Sequence, residues 1–346
     1  MTIDVLSPGA QTTVQDAGRL GYFRDGVAPA GPQDPPAFRL ANALAGNGPT
    51  PGLFAQAPDR GAAGLEMTMQ GPRLRFATAM RIAVTGADMQ PTLDGVPMPM
   101  WTSVEVPADA VLEFKVARTG LRAYLAVAGG IDVPVVMGSR ATCLVARLGG
   151  FAGRVLRAGD RLATGLPAAP GGTRALAPAF RGSFPAEPAL RVLPGPQDHL
   201  FTEESVAAFF ASPWKMSPVS NRMGFRFDGP ALSFKERAAE VVRDSGSDPS
   251  NIVDDMIPLG GIQIAGGKQA IIMGVEAPSV GGYAKIGTVI SADFGVLGQM
   301  RPGQSARFLR VSSNEAEAAR RSMEDGIDRA IRSLEAGAPA GEETGA

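Results

Sequence analysis

The chain has 346 residues, of which 45% are hydrophobic and 19% are charged, and its formal net charge at pH 7 is -1. This length exceeds what one ordinary hydrophobic core needs, so the sequence predicts two domains. A near-neutral chain has no field of one sign that would attract nucleic acid or an anionic membrane, and we expect neither as a partner.

Two residue types are scarce, and their scarcity restricts the chemistry. Cys143 is the only cysteine, which excludes an intrachain disulfide and fits a reducing compartment. His199 is the only histidine, so sites with two or more histidine ligands are impossible and we expect no metal. The N-terminus lacks a signal segment, and no apolar run reaches the ~20 residues of a membrane helix. The sequence therefore predicts a cytoplasmic protein without a membrane segment.

The first half of the chain is predicted to form many short strands and one short helix. The segment "IDVLSPG" predicts a strand that enters a Pro-Gly turn, and "PPAFRLANALAGN" predicts a helix that begins at proline and ends at Gly46. From Leu65 on, alternating segments such as "VLEFKVA" predict strands. We assign residues 1–166 to a first β domain.

The second half repeats this mixture after a change in composition. Residues 167–188 are rich in Pro, Ala and Gly and form the predicted linker. Residues 189–310 form the predicted second β domain, with a short helix capped by Thr202. Residues 311–336 predict a C-terminal helix, because Ser312 and Glu315 have capping-box spacing. Residues 337–346 have a composition typical of disorder.

One motif occurs twice in the chain. "GRLGYFRDG" at 18–26 and "NRMGFRFDG" at 221–229 carry Arg, Gly, Asp and Gly at the same spacing. Both halves also open with Val-Leu and Pro-Gly, and both end near Arg-x-Gly. Landmarks in one order predict the duplication of one β-rich domain, with the same turn in each copy.

The arginines of this motif, Arg19 and Arg222, allow two interpretations. In the structural one, each arginine holds a tight turn whose glycines adopt positive φ. In the functional one, each arginine binds a carboxylate, phosphate or ureido oxygen. Duplication favours the structural interpretation. If one copy binds a ligand, we expect the second, since Ser220 and Asn221 add a hydroxyl and an amide there.

A second candidate is the segment "SVGGYAKIG". Gly281 and Gly282 allow close approach of the backbone to a ligand, and their amides are able to hold an oxyanion. Tyr283 and Lys285 are predicted to project from the same side of one strand. The alternative is a glycine-rich hairpin with a solvated lysine.

Two other motifs do not fit known ligand-binding patterns. The segment "GGIQIAGGKQA" is not a phosphate loop, because Ile262 and Gln269 stand where glycine and Ser or Thr are required. The segment "SDPSNIVDD" carries acidic residues without the spacing of a calcium loop.

The longer motifs resemble one protein family. "VLSPGAQTTVQDAGRLGY", "YLAVAGGIDVPVVMGSRAT", "VSNRMGFRFDGPAL" and "GGYAKIGTVISAD" are similar to the family of biotin-dependent carboxyltransferases and 5-oxoprolinase C subunits, which is also described as allophanate hydrolase subunit 2-like, KipA-like or related to urea amidolyase. The resemblance reaches about Phe308. It implies a mainly β fold of two tandem cyclophilin-like β-barrel domains, with a few short helices and a C-terminal helix.

The resemblance also implies an enzyme subunit that acts with a KipI-like partner, the B subunit, and, in one arrangement, with an A subunit. One implied activity is ATP-dependent opening of 5-oxoproline to glutamate, with ATP as cofactor although the chain lacks a Walker motif. Another is transfer of a carboxyl group from biotin on a separate carrier to urea or another amide. A third is non-catalytic relief of inhibition by a KipI-like partner. Because the sequence contains no biotin-carrier Met-Lys-Met and no fused KipI-like half, we expect the first.

The same resemblance implies which residues surround the small amide or lactam. Catalytic roles are expected for Arg222, Tyr283 and Lys285. Substrate binding is expected for Ser220, Asn221, Gly281, Gly282, Arg19, Asp34 and Asn42. The family usually has Gln-Thr-Thr before Gly-Gly-Tyr, whereas Pro278, Ser279 and Val280 stand here. This departure predicts a different substrate or a loss of activity.

Overall fold

The computed structural model describes residues 1–52, 55–167, 172–237 and 244–335. The chain divides into two compact units. Unit 1 consists of residues 1–20, 30–183 and, among those described, 323–335, and unit 2 consists of residues 21–29 and 184–322. The predicted disordered tail at 337–346 lies outside the described residues.

Unit 1 is built from short strands. They are β1 (Thr2–Ser7), β2 (Gln11–Gln15), β3 (Gly64–Thr68), β4 (Arg73–Phe76), β5 (Met80–Asp88), β6 (Thr92–Leu93), β7 (Val96–Pro97), β8 (Ser103–Val106), β9 (Val111–Glu113), β10 (Thr119–Val127), β11 (Ile131–Asp132) and β12 (Arg161–Thr164). One sheet has the order β11-β12-β1-β4-β9-β6-β7, and the other has the order β2-β3-β10-β5-β8.

The two sheets of unit 1 share one apolar core. Strand β4 shows how the sequence builds it, because Leu74 and Phe76 are buried while the alternating Arg73 and Arg75 are exposed. Ile3 of β1 and residues of β3, β5 and β10 join the same cluster. Antiparallel pairing of β1 with both β4 and β12 fixes which face of each strand enters the core.

Helix α1 (Pro35–Ala45) begins and ends where the sequence predicts. Asp34 precedes it, and its Oδ1 accepts a hydrogen bond from the Ala37 amide at 3.1 Å. Gly46 ends the helix with φ 83°, a left-handed conformation that glycine adopts without steric cost.

Unit 2 contains a closed barrel with the strand order β13-β20-β17-β18-β15-β14-β21. Its strands are β13 (Ala189–Pro194), β14 (Pro213–Met216), β15 (Gly224–Asp228), β17 (Gly261–Ala265), β18 (Gln269–Met273), β20 (Lys285–Val289) and β21 (Ser305–Arg310). A parallel pairing of β13 with β21 closes the barrel. Two further strands, β16 (Asn251–Met256) and β19 (Val280–Tyr283), form a separate two-stranded sheet, which we call the ribbon.

Further helices lie within the described ranges, and side chains cap two of them. They are α2 (Glu203–Ala211), α3 (Phe294–Gln299) and α4 (Ser313–Glu335). Thr202 caps α2, since its Oγ1 accepts from the Ser205 amide at 3.2 Å. Before α4, the Ser312 amide donates to Glu315 Oε2 at 2.7 Å, which confirms the predicted capping box. No helix in the described ranges has the length and apolar character that a membrane crossing requires.

The mainly β fold, with a few short helices and a C-terminal helix, is therefore confirmed. The predicted linker at 167–188 differs from the structure, because residues 172–183 belong to unit 1. Leu176 is buried there, and its amide donates to the Trp101 carbonyl at 2.9 Å. The Pro- and Ala-rich composition of this segment predicts a linker and gives no sign that Leu176 is buried.

The prediction that both copies of the repeated motif form one turn is wrong. In the first copy, Phe23–Asp25 is a single 3-10 turn between Gly21 and Gly26, which have φ 93° and 82°. In the second copy, residues 224–228 are strand β15. Phe225 and Phe227 alternate with arginine and are both buried, whereas the first copy places Tyr22 beside Phe23, a pattern that gives a strand no single apolar face.

Candidate functional site

Strands β17 and β20 place Gln263 and Lys285 side by side on the barrel of unit 2. The two residues are register partners, so their side chains lie on the same face of the sheet. Gln263 stands between Ile262 and Ile264, which are completely buried, and it therefore points away from the barrel core. Both polar side chains are nevertheless buried, with Gln263 5% and Lys285 1% exposed.

The ribbon supplies the cover over these two side chains. A Cβ atom added to Gly281 would lie 2.9 Å from Gln263 Nε2 and 2.6 Å from Ile257 Cδ1. Lys285 Nζ lies 3.1 Å from Asp255 Oδ2, on the other strand of the ribbon. The amide and the ammonium thus both reach the ribbon, and Gly281 leaves the space that the amide occupies.

Asp255 is the acidic member of the cluster. Its Oδ2 also accepts a hydrogen bond from Gln197 Nε2 at 3.2 Å, and its Oδ1 accepts from the Met256 amide at 2.8 Å. Contact with the Lys285 ammonium, and in addition the Gln197 amide, lowers the pKa of the Asp255 carboxyl below its ordinary value, against an opposing effect of burial. Asp255 is therefore ionised at neutral pH.

Two buried donors in this cluster have no hydrogen-bond acceptor among the described residues. They are Gln263 Nε2 and Lys285 Nζ. Lys285 Nζ and Asp255 Oδ2, 3.1 Å apart, form an ion pair that lacks the geometry of a hydrogen bond. Buried polar groups normally have partners, so these two donors are the candidate contacts for an oxygen atom of a ligand.

We call Gln197, Asp255, Gln263 and Lys285 the amide cluster. It combines two N–H donors that can point at one oxygen with a carboxylate that accepts an N–H. An amide, a lactam or urea offers both a carbonyl oxygen and an N–H, so this donor and acceptor set matches that class of ligand. Within the described ranges, no group of three or more His, Cys, Asp or Glu side chains is arranged to hold a metal ion.

Tyr283 and Lys285 do not share one strand, contrary to the prediction. Tyr283 ends β19 and pairs with Asn251 of the ribbon, whereas Lys285 begins β20 in the barrel. Ala284, between them, donates its amide to the Ser250 carbonyl and accepts from the Ile264 amide. The phenol is 38% exposed and the ammonium is buried. The alternative interpretation, a solvated lysine, is therefore wrong, and the lysine belongs to the amide cluster.

Ser220 and Asn221 make local hydrogen bonds before β15. Asn221 Oδ1 accepts from the Met223 amide at 2.9 Å and from the Gly224 amide at 3.2 Å. Ser220 Oγ accepts from the Arg226 amide at 2.9 Å. These contacts form a side-chain-stabilised turn, a common role for serine and asparagine. Substrate binding by either residue stays a prediction.

Arg222 is buried and forms an ion pair. Its Nε donates to Glu276 Oε1 at 2.5 Å, and the Glu276 amide donates to the Arg222 carbonyl at 3.1 Å. Glu276 lies on the segment that leads from β18 into β19, so Arg222 anchors the approach to the ribbon. This geometry supports a positioning role, and direct contact with substrate stays a prediction.

The three candidates in unit 1 have contacts that stabilise that unit. Arg19 is fully buried and donates to the carbonyls of Val136 at 2.9 Å and Ala141 at 3.0 Å. Asp34 caps α1. Asn42 Oδ1 accepts from Asn47 Nδ2 at 2.7 Å. Their substrate-binding roles stay predictions.

Sequence reasoning did not identify Gln197, Asp255 or Gln263. A polar residue amid the apolar strand "GIQIAG" was the available signal for Gln263. The acidic segment "SDPSNIVDD" ends in Asp254 and Asp255, but it does not match a ligand-binding motif that would single out Asp255. Nothing in "PGPQDHLF" identifies Gln197, because its partners lie on strands distant in sequence.

The departure before Gly281 lies at the start of the ribbon. Ser279 is buried, and its carbonyl accepts from the Ile257 amide at 2.9 Å, whereas Pro278 is exposed. Val280 is 50% exposed and pairs with Met256, which is exposed to the same extent. The substituted residues therefore give the ribbon an apolar edge and leave the amide cluster intact.

A family model for the carboxyltransferase domain, subdomain A and B, matches residues 25–310. The chain is similar to the C subunit of the 5-oxoprolinase of Escherichia coli, with 36% identity over 332 residues, which is 93% of this chain and 95% of that protein. It is also 35% identical to a urea amidolyase of Lachancea kluyveri over 96% of this chain, but it spans only 18% of that relative.

A similar fold occurs in a solved structure. The crystal structure of the Kluyveromyces lactis urea carboxylase superimposes with a TM-score of 0.84 at 33% identity. The match covers 95% of this chain and 29% of that one.

Proposed function

Because the chain belongs to the family of the carboxyltransferase domain, subdomains A and B, we propose that it is the C subunit of a 5-oxoprolinase-type complex. In this complex a KipI-like B subunit, together with ATP, would be required to open 5-oxoproline to glutamate. The identity to 5-oxoprolinase C subunits over nearly their whole length supports the proposal. The observation that carries it is the amide cluster, with two buried donors beside an ionised carboxylate.

The amide cluster matches the polar atoms of a lactam. The lactam oxygen would accept hydrogen bonds from Lys285 Nζ and Gln263 Nε2, and the ring N–H would donate to Asp255. When the carbonyl carbon is attacked, negative charge develops on this oxygen. A buried ammonium stabilises such a charge far better than water does, because no reorganisation of solvent is needed.

The glycine-rich segment at 266–268 does not fit the phosphates of ATP. It is the turn of a hairpin between β17 and β18 rather than a loop that opens a helix, so it does not cradle phosphate. The proposal therefore assigns amide binding to this chain and nucleotide binding to another subunit.

A second candidate function is carboxyl transfer from carboxybiotin to urea. The fold similarity to a urea carboxylase, with a TM-score of 0.84, favours it. Urea offers the same carbonyl oxygen and N–H groups as a lactam, so the amide cluster suits both. In this case biotin would reach the site on a separate carrier.

The test is reconstitution with partner proteins. The chain is co-purified with candidate A and B subunits, and glutamate release from 5-oxoproline is measured with and without ATP. We expect ATP-dependent turnover. Lys285→Met should reduce it by at least about 100-fold, because this variant lacks the ammonium that stabilises the negative charge on the carbonyl oxygen. Lys268→Met is the matched control, since Lys268 is exposed on the hairpin turn.

The outcomes separate the candidate functions. Urea-dependent consumption of carboxybiotin without 5-oxoproline turnover would replace the first function by the second. A complex with the KipI-like partner that turns over neither substrate would identify a non-catalytic KipA-like binding protein. Full activity of Lys285→Met would exclude the amide cluster as the site.

A further inference from the structure

We propose that Gln197 is a positioning residue that fixes the Asp255 carboxylate against Lys285, so that one acceptor oxygen is held ready for the substrate N–H. This inference rests on the proposed function only for the identity of the substrate. The positioning itself is a property of the chain without ligand.

Gln197 contacts both members of the ion pair. Its side-chain Oε1 accepts from the Lys285 amide at 3.2 Å, and its own amide donates to the Lys285 carbonyl at 3.3 Å. Its Nε2 donates to Asp255 Oδ2 at 3.2 Å. One residue of the loop after β13 thus connects the first residue of β20 with the carboxylate of β16.

The backbone of Lys285 determines which way the Gln197 amide faces. An N–H of the main chain requires an acceptor, so the oxygen of the Gln197 side chain must be the atom that faces Lys285. The nitrogen must then face Asp255. The glutamine is therefore oriented by a fixed backbone donor, and its opposite end can donate only to the carboxylate.

Asp255 needs this second contact because the ion pair alone constrains it weakly. Its side chain is 47% exposed, and ion pairs open to solvent contribute little to holding a side chain in one conformation. Gln197 and Lys285 both engage Oδ2, while Oδ1 receives the Met256 amide. Together these contacts leave the carboxylate one orientation.

The charged groups around Asp255 are few in the described structure. Lys285 faces it from β20, and Asp254 precedes it on β16, with its Oδ1 2.9 Å from the position of a Cβ at Gly282. The loop of Gln197 also carries Asp198 and His199. Removal of the Gln197 donor would therefore leave Lys285 as the main group that favours the ionised carboxylate.

Gln197→Glu is the variant that separates positioning from folding. It keeps the volume of the side chain and an oxygen for the Lys285 amide, but it places a second oxygen against Asp255 Oδ2. A like charge next to a carboxylate raises its pKa. We expect the pKa of Asp255 to rise in this variant, while the melting temperature changes little because Gln197 lies on a loop.

Gln269 provides a matched control in the same barrel. Its Nε2 donates to Asp228 Oδ1 at 3.0 Å, and its Oε1 accepts from Arg226 Nη1 at 3.0 Å. Gln269→Glu therefore makes the same chemical change in another glutamine–aspartate pair. We expect it to leave the titration of Asp255 unchanged.

The experiment is a titration by NMR of the protein labelled with ¹³C at the aspartate carboxyl carbons. Asp255→Asn assigns the resonance. A midpoint that moves upward in Gln197→Glu but not in Gln269→Glu supports the inference. A midpoint that is the same in the wild type and Gln197→Glu overturns it.

Ligand measurements on the same variants distinguish this inference from the proposed function. In the reconstituted complex, we expect Gln197→Glu to raise the KM for 5-oxoproline and to move the acid limb of the pH profile upward. If the NMR midpoint moves but the wild type binds and converts no amide, the proposed function fails and the positioning role stands. If the complex is active and Gln197→Glu leaves both its pH profile and the NMR midpoint unchanged, the positioning role fails alone.

Discussion

At the scale of single residues, the structure changes the meaning of two glycines that the sequence marks as oxyanion donors. Gly281 lies against Gln263 Nε2, and Gly282 lies against Asp254 Oδ1. Neither glycine adopts a positive φ. The absence of a side chain, rather than an unusual backbone conformation, is what the site requires of them.

Gly281→Ala is therefore expected to displace the Gln263 amide from the ribbon. The added methyl group would lie 2.9 Å from Nε2, which is closer than a van der Waals contact. We expect an increase in KM of about 10-fold, equivalent to about 1.4 kcal/mol, with smaller effects on stability. Steady-state kinetics of the complex measure the KM, and a thermal melt measures the stability. A KM equal to that of the wild type would show that Gln263 does not touch the substrate.

Arg222→Ala tests the anchoring role of the buried ion pair. Removal of one partner from a buried pair costs roughly 3–5 kcal/mol, because the remaining charge loses its compensation. We expect the melting temperature and the activity to fall together. Arg226→Ala is a control on the neighbouring strand, since Arg226 is only half-buried. Loss of turnover at an unchanged melting temperature would instead indicate contact between Arg222 and the substrate.

The sequence identifies part of this site through polarity alone. Lys285 stands out because lysine is rare in the chain and follows a Gly-Gly pair. Gln263 and Asp255 do not stand out, because their importance arises from the pairing of β17 with β20 and of β16 with β19. Strand pairing between distant segments is not a property of local sequence, so this half of the site requires the structure.

At the scale of elements, caps and alternation predict helices and strands well where the motif is local. The Thr202 cap, the Ser312–Glu315 box and the Gly46 end all appear as predicted. The repeated nine-residue motif does not predict one common turn, because its two copies differ at aromatic positions that decide between a turn and a strand. The arginine and glycine positions that the two copies share do not decide between a turn and a strand.

Thr202→Ala tests the cap of α2. The Ser205 amide would lose its acceptor, and we expect the free energy of unfolding to fall by about 1 kcal/mol. Urea denaturation measures the change. Thr202→Ser keeps the hydroxyl and should retain most of the stability. Equal losses in the two variants would mean that the methyl group, and not the hydrogen bond, matters at this position.

At the scale of the whole molecule, ionised carboxylates stabilise the fold at neutral pH. Arg75, with Arg161, lowers the pKa of Asp4, and Arg154 lowers the pKa of Asp160. A carboxyl with a lowered pKa in the folded state contributes stability above its ordinary value near 4, and this stability is lost as the pH falls through the lowered value. Asp16 has the opposite effect, because burial raises its pKa.

We therefore expect the free energy of unfolding to decrease as the pH falls from about 5 to about 2. Asp4→Asn should flatten this dependence, since it removes one of the contributing carboxyls. Asp16→Asn should make it steeper, because the raised pKa of Asp16 lets the folded state gain stability on protonation. Urea denaturation at a series of pH values measures the free energy of unfolding of the wild type, Asp4→Asn and Asp16→Asn. Curves of equal slope for the wild type and Asp4→Asn would contradict the assignment.

The break at Ala284 also matters to anyone who would engineer this protein. Tyr283 and the exposed edge of the ribbon can be randomised in a library, while the barrel strand that begins at Lys285 retains its sequence. Selection for activity on new amides would then change residues at the entrance of the site while the Lys285 ammonium stays in place. Variants that accept bulkier compounds should accumulate at the ribbon positions other than Asp255, Gly281 and Gly282, and few should alter the neighbouring barrel.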